Sequence, residues 1–363
     1  METLIIKPTN LKNQCPIHIG RGILGKISSL CRLSDRSDIC ILTDTNIPVR
    51  IIQTIKNACA SNVSVLTLQP GEQTKTIQTV RNIWQHLQKL QFDRKSLLIN
   101  IGGGVISDVG GFAASTFMRG IDFINIPTTL LSQADAAIGG KNGINFNGIK
   151  NHIGTIIQPI AVIVDVNVLI TLTKRELISG MAEIIKHGLI CDSQLFRMAI
   201  AKQPDMFSPD ELLQFITVSI RIKSRIVSAD EKEQSGIRTI LNFGHTTGHA
   251  IEALSQNSKH SLLHGETILW GMKIETMLSK DIGLLKPESC WEILRLLQNI
   301  SIPPLPENLT KRSILSKIHS DKKNQRGKTL YTLLASIGHA VINQHVSDDM
   351  MIHAFWQTKG VHL

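Results

Sequence analysis

SLLINIGGGVISDVGG, residues Ser96 to Gly111, decides the fold. Ser96–Ile101 is a short apolar run with β character, and it enters Gly102-Gly103-Gly104 without a polar linker. Val105, Ile106, Ser107 and Asp108 follow, opening an apolar stretch of helical character. A strand that turns into a helix through glycines lets backbone N–H groups approach a pyrophosphate, and the helix N-terminus favours its charge. The pattern is not GxGxxG, and a tight structural turn would account for the glycines alone equally well.

Strand and helix signals alternate around this turn. Short β-branched runs occupy Asp38–Thr43, Val63–Leu68, Asp122–Ile126 and Ala161–Val166, and Thr76–Leu90 carries apolar residues at helical spacing. Such alternation predicts a parallel sheet covered on both faces. From about Lys174 onward the chain turns helical. Arg175–Ile190, Pro209–Ala229, Thr246–Ala253 and Glu266–Asp281 are read as helices, with a strand at Thr329–Leu334. The expected organisation is an N-terminal α/β domain over residues 1–177 and a mainly α-helical domain over 178–363. With 363 residues, the chain is long enough for two domains.

Four predicted strands end in loops suited to a nucleotide. Asp44-Thr45-Asn46 follows the first and offers an acid for a ribose hydroxyl pair. Pro70-Gly71-Glu72-Gln73-Thr74-Lys75 follows the second, the glycine turn the third, and Thr128-Thr129 the fourth. Any one is ordinary turn chemistry. Together they lie where an open α/β sheet binds its ligand.

A metal signal sits in the helical half. His245 and His249 of LNFGHTTGHAIE are spaced i, i+4, which puts both imidazoles on one helix face. The glutamate of HExxH is missing, which weakens a hydrolytic-protease reading. His264 and the carboxylate Glu183 are further candidates, and three protein ligands with an open position would make a catalytic zinc site. His187 and His260 are read as ordinary polar residues. Arg119, Lys141, Lys150, Lys186, Lys223, Arg238 and the pair Lys322-Lys323 recur around these segments, suited to phosphate and carboxylate groups.

Composition narrows the classes. The opening METLIIKPTN lacks the features of a secretory signal, and no apolar run reaches the ~18 residues of a membrane span, so a soluble protein is expected. Six scattered cysteines form no CxxC pair, which argues against a structural zinc site or a disulfide framework and for a reducing compartment. The net charge of +10 admits nucleic acid, but the basic residues are dispersed and aromatic residues make up only 4%. A basic surface with a pocket for anionic substrates fits better.

Seven segments, in order, resemble the 3-dehydroquinate synthase family of the sugar phosphate cyclases. They are GGGVISDVGGFAASTFMRG, PTTLLSQADAAIGGKNGIN, KNHIGTIIQP, RELISGMAEIIKHG, DEKEQSGIRTILNFGHTTGHA, HGETILWGM and DKKN, and the likeness runs from about Asp44 to Asp321. The resemblance implies a Rossmann-like N-terminal domain, a helical C-terminal domain, a homodimer, a cytoplasmic location and transient use of NAD. It implies zinc, or cobalt, held by Glu183, His245 and His264, leaving His249 for substrate. NAD would meet Asp44, Asn46, Pro70, Gly71, Glu72, Gln73, Thr74, Lys75, Gly104, Val105, Ile106, Ser107, Asp108, Thr128, Thr129 and the run Val168, Leu169, Ile170, Thr171. Asp135, Lys141 and Lys150 lie where cofactor and substrate contacts overlap. Asn151, Lys186, Lys223, Arg238, Asn242 and His249 complete the substrate set, with Arg119 reaching across the dimer and Lys322 favoured over Lys323.

The implied substrate is 3-deoxy-D-arabino-heptulosonate 7-phosphate, a phosphorylated sugar acid, with no nucleic acid or membrane partner. Ala137 and Thr173 depart from the family's serine and proline, with a lost local hydrogen bond and a looser turn expected. A metal-dependent alcohol or glycerol dehydrogenase would share the plan but accumulate NADH. A related cyclase lacks the substrate carboxylate that Arg238, Asn242 and His249 suit.

Overall fold

A computed structural model describes residues 1–6, 14–59, 62–256, 261–307, 309–320 and 329–360. Two compact units emerge. One comprises Met1–Leu172 with Pro209–Gln234, the other Thr173–Ser208 with Ser235–Leu363.

In the first unit, β1 (Glu2–Ile6), β2 (Cys15–Gly20), β3 (Ile39–Asp44), β4 (Val63–Leu68), β5 (Leu97–Gly102) and β6 (Asp122–Pro127) join β9 (Ala161–Asp165) in a seven-stranded sheet. Its order is β1-β2-β9-β6-β5-β3-β4, parallel throughout except for the β1–β2 pair. Strands parallel on both sides must bury both faces, which is why all six residues of β5 and of β3 are buried. Alternate residues serve opposite cores. Ile39, Ile41, Ile99 and Ile124 pack with α1 (Ile27–Cys31) and α2 (Val49–Ala58), while Cys40, Leu42, Leu98 and Phe123 pack with α3 (Ile77–Lys89) and α4 (Gly104–Thr116).

The chain leaves β3 for β4 on one side, then returns past β3 to β5. This reversal makes the β3–β5 boundary the sheet's switch point, where open α/β sheets bind ligands beyond their carboxyl ends. Asp44 ends one of these strands and Gly102 the other.

Of the six strands expected from sequence, five match β3, β4, β5, β6 and β9 to within a residue or so at each end, and the sixth, Thr329–Leu334, falls on a strand at Leu330–Ser336. Others were not anticipated. β2 carries Pro16, which is tolerated because pairing with β9 begins only at Ile17. β7 (Lys141–Phe146) and β8 (Ile149–Ile156) form a separate antiparallel hairpin turning through Asn147 and Gly148, at φ 49° and 76°. Both central residues at positive φ are what a two-residue turn of that twist requires.

A single boundary was expected between residues 177 and 178; the compact units group the chain differently. The chain crosses between units at Thr173, and α7 (Pro209–Ala229) returns to the first unit, where its Ser219 hydroxyl reaches the Ala134 carbonyl at 3.4 Å. Helical periodicity reports the helix but not the partner of its apolar face.

The second unit contains α5 (Lys174–Cys191), α6 (Ser193–Ala199), α8 (His245–Ser255), α9 (His264–Asp281), α10 (Pro287–Gln298), α11 (Lys311–His319), α12 (Asp348–Gly360) and the hairpin of β10 (Leu330–Ser336) and β11 (His339–His345). α9 is central, packing against α5, α8, α10 and α12. Glycines set these approaches. A Cβ on Gly265 would lie 1.9 Å from the Ser179 carbonyl oxygen of α5, and one on Gly271 would lie 1.9 Å from the Gly244 oxygen just before α8. Thr173, expected to loosen a turn, instead caps α5. Its hydroxyl accepts from the Glu176 amide at 3.3 Å, and Glu176 accepts from the Thr173 amide at 2.8 Å.

Candidate functional site

In the first unit, α4 starts at Gly104 with Gly103 as its N-cap and no side-chain cap. A Cβ on Gly102 would lie 2.6 Å from Ile106, so glycine permits the close turn. Without a capping side chain, the first amides of α4, from Gly104, Val105 and Ile106, are left for an anionic ligand. Ser107 is buried within that first turn.

Asp44 is 9% exposed, and burial pushes its carboxyl above the ordinary range, partly offset by the Asn46 amide 2.9 Å away. Thr129 follows β6, its hydroxyl 2.7 Å from that of Ser132, and Thr128 is buried. Val168, Leu169, Ile170 and Thr171 form a short turn after β9, with Val168 and Leu169 buried and Ile170 exposed.

The Pro70–Lys75 loop is tied to the unforeseen hairpin. Asn145 donates to Glu72 at 2.8 Å, and its own amide donates to the Lys75 carbonyl at 2.9 Å. Lys75 is buried, paired with Asp108 at 2.6 Å and hydrogen-bonded to Asn151. Burial raises the Asp108 carboxyl, and the Lys75 ammonium offsets part of that. An expected cofactor residue is thus joined to an expected substrate residue, with Asn151 held at φ 50°.

A second pair in the same unit is Lys223, 5% exposed, with its ammonium 2.7 Å from both a carboxylate oxygen and the backbone oxygen of Asp135. Lys141 is ion-paired with Glu233, and Lys150 is half-buried on β8. Arg119 is exposed at φ 68°, directly after Met118 at φ 50°. Gln73 is exposed, with its amide 2.9 Å from the Pro70 carbonyl, while Thr74 is buried and donates to the Gln69 carbonyl at 2.8 Å.

In the second unit three helices bring together Glu183 of α5, His245 and His249 of α8, and His264 of α9. Glu183 Oε1 lies 3.5 Å from His245 Nε2 and 3.5 Å from His264 Nε2. The ligating atoms of the three histidines lie within 4.8 Å of one another. Both oxygens of Glu183 are buried, with the Lys186 ammonium ion-paired to Oε2 and the two imidazole nitrogens facing Oε1. A buried carboxylate facing two imidazole nitrogens fits a divalent ion. The 3.5 Å separations match the edge of about 3.4 Å expected for tetrahedral ligands about 2.1 Å from zinc.

The electrostatics agree. Burial alone would raise the Glu183 carboxyl, but Lys186 and the histidines hold it well below the ordinary range. Burial and the Lys186 charge push His245 down to about 4, leaving it a neutral donor. Burial opposes charge on His264 too, yet its bonds to Glu183 and Glu252 raise it to about 10. An arriving ion would displace that proton. His245 Nδ1 lies 3.1 Å from the Phe243 carbonyl, so with its proton there Nε2 is free to ligate.

Arg238 is buried and Asn242 half-buried in the turn preceding α8. Lys322 and Lys323 lie outside the described residues, as does His260. Sequence reasoning missed Glu252, whose Oε2 lies 3.1 Å from His264 Nδ1. Its signal was available: it stands three residues after His249, on the same helix face.

The fold is that of the sugar phosphate cyclases. A 2-deoxy-scyllo-inosose synthase solved with carbaglucose-6-phosphate, NAD+ and Co2+ superposes with a TM-score of 0.88 at 25% identity, over 98% of this chain and 99% of that one. Family models of the 3-dehydroquinate synthase N-terminal and C-terminal regions match residues 65–179 and 180–324. A 3-dehydroquinate synthase of Methylacidiphilum infernorum (isolate V4) is 39% identical over 92% of each chain. One from Coxiella burnetii (strain RSA 331) is 39% identical over 93% of this chain and 95% of its own. The chain belongs to the 3-dehydroquinate synthase family. It is an enzyme, a cyclase of the lyase type.

Proposed function

We propose that the chain converts 3-deoxy-D-arabino-heptulosonate 7-phosphate into 3-dehydroquinate and phosphate, with NAD and zinc or cobalt as resident cofactors. The observation that carries this reading is the buried Glu183 carboxylate, whose Oε1 lies 3.5 Å from both His245 Nε2 and His264 Nε2. The 2-deoxy-scyllo-inosose synthase relative, solved with both NAD+ and Co2+, supports the cofactor pair.

Glu183, His245 and His264 would hold the ion, while Asp44, Lys75, the amides at Gly104–Ile106 and Thr128-Thr129 would hold NAD. When bound, the ion would supply a Lewis acid for a substrate hydroxyl, and NAD would supply reversible hydride chemistry at that carbon. The protein's own part is positioning and charge stabilisation. Arg238 and Asn242 would hold the substrate carboxylate, with His249 near the reacting hydroxyl. Lys141, Lys150, Lys223 and Asn151 would hold the phosphate, whose oxygens take the proton as the C–O bond to phosphate breaks. Lys186 keeps Glu183 ionised. Lys322, Asp135 and the remaining loop residues named above complete the proposed contacts. We further assign a homodimer in the cytoplasm, with Arg119 serving the partner's site. No described helix is long and apolar enough to cross a membrane.

Purified protein supplied with substoichiometric NAD, Zn2+ and the heptulosonate phosphate should release one phosphate per 3-dehydroquinate, without net NADH. Absence of phosphate release, or NADH rising in step with product, would reject the reading. The second outcome is what a dehydrogenase would give.

A further inference from the structure

α8 carries His245 as its first residue and His249 one turn on. Helix ends fray, and the first-turn amides have no intrahelical partner. The usual remedy is a capping side chain at the N-cap, but that residue is Gly244, at φ 79°. A Cβ there would lie 2.6 Å from Met272 and 3.1 Å from the Ile268 oxygen, so the position has no room for one.

The cap comes instead from α9. Glu275, fully buried, accepts from the Gly244 amide through Oε2 at 2.6 Å and from the Thr247 amide through Oε1 at 3.0 Å. In a capping box two side chains of one helix share these two amides, the N-cap's own and that of the third helical residue. Here one carboxylate from a neighbouring helix takes both. α9 also bears His264, so one helix supplies a candidate ligand and fixes the start of the helix bearing another.

We infer that Glu275 is a positioning residue, which acts through the first turn of α8 to hold His245 in register with Glu183 and His264. The inference rests on the metal reading above. Exchanging the carboxylate for an amide leaves an acceptor for one backbone N–H and sets an NH2 against the other.

Co2+ titration of the metal-free chain, read by visible absorption, tests it. Glu275→Gln should bind Co2+ about tenfold or more weakly, the size of loss typical of residues that orient ligands. Asp165→Asn serves as a control. That buried carboxylate caps the amides of Gly22, Ile23 and Leu24 in the other unit, so its loss should lower stability but leave Co2+ affinity unchanged. Wild-type Co2+ affinity in a folded Glu275→Gln would overturn the inference and leave the metal reading standing. If the unmodified chain fails to bind Co2+, the metal reading itself falls and takes this inference with it.

Should Glu275→Gln not fold, hydrogen exchange on the unmodified chain decides. The Gly244 and Thr247 amides should already be protected without metal and change little when Co2+ is added. Fast exchange that slows only on metal binding would show the turn to be ordered by the ion rather than by Glu275.

Discussion

Glu252 Oε2 lies 3.1 Å from His264 Nδ1, so α8 orients the ring of a histidine that α9 carries. With the Nδ1 proton fixed there, His264 presents Nε2 toward Glu183. A carboxylate behind a ligating imidazole sets both its tautomer and its basicity.

Glu252→Gln should therefore weaken Co2+ or Zn2+ binding by about 10- to 100-fold while the chain stays folded. Competitive titration against a chelator measures the loss, and an unchanged affinity would remove Glu252 from the site.

Thr173→Ala removes the hydroxyl half of the capping box on α5. Stability should fall by about 1 kcal/mol, read from the urea midpoint. A variant as stable as the parent would mean that Glu176 alone secures that helix start.

Gly271→Ala places a methyl group 1.9 Å from the Gly244 oxygen and 2.8 Å from the Gly248 amide. Backbone must move, at a cost of about 1–3 kcal/mol or more. Because the displaced backbone leads directly into His245, metal affinity should drop with stability. Gly25→Ala, where nothing lies within 4 Å, should change neither.

Lys273 is 8% exposed over the Trp270 ring, and burial lowers its pKa from 10.5 to about 8. Below about 8 both folded and unfolded chains hold the proton, and the destabilisation is constant. Between about 8 and 10.5 the unfolded chain holds a proton that the folded chain has released, so this group makes stability rise with pH. Lys273→Met should lose that rise. The test is the difference between parent and variant unfolding free energies at pH 7.5 and 10, and a difference independent of pH would contradict the assignment.

Much of this was legible in the sequence because buried parallel strands are written as apolar runs. The segments giving β3, β4, β5, β6 and β9 could hardly be anything else once helices lay between them. The β7–β8 hairpin was legible too, through Asn147-Gly148, a strong two-residue turn signal that went unused. What the sequence could not disclose was partnership. α7 has a helix's period wherever it packs, and contacts such as those of Ser219 with Ala134, Lys223 with Asp135 and Arg221 with Glu2 assign it to the first unit. The candidate ligands were recoverable from the i, i+4 histidines and the family motifs. Glu275 was not, because a polar residue in an apolar helix announces no particular amide as its target.

The two glycine approaches on α9 bear on anyone wishing to re-engineer this enzyme. Stabilising designs favour replacing helical glycines with alanine. At Gly265 and Gly271 that habit would wedge apart the rods bearing Glu183, His245 and His264. Gains in heat tolerance are better sought on the exposed face of α3, a helix of the other unit.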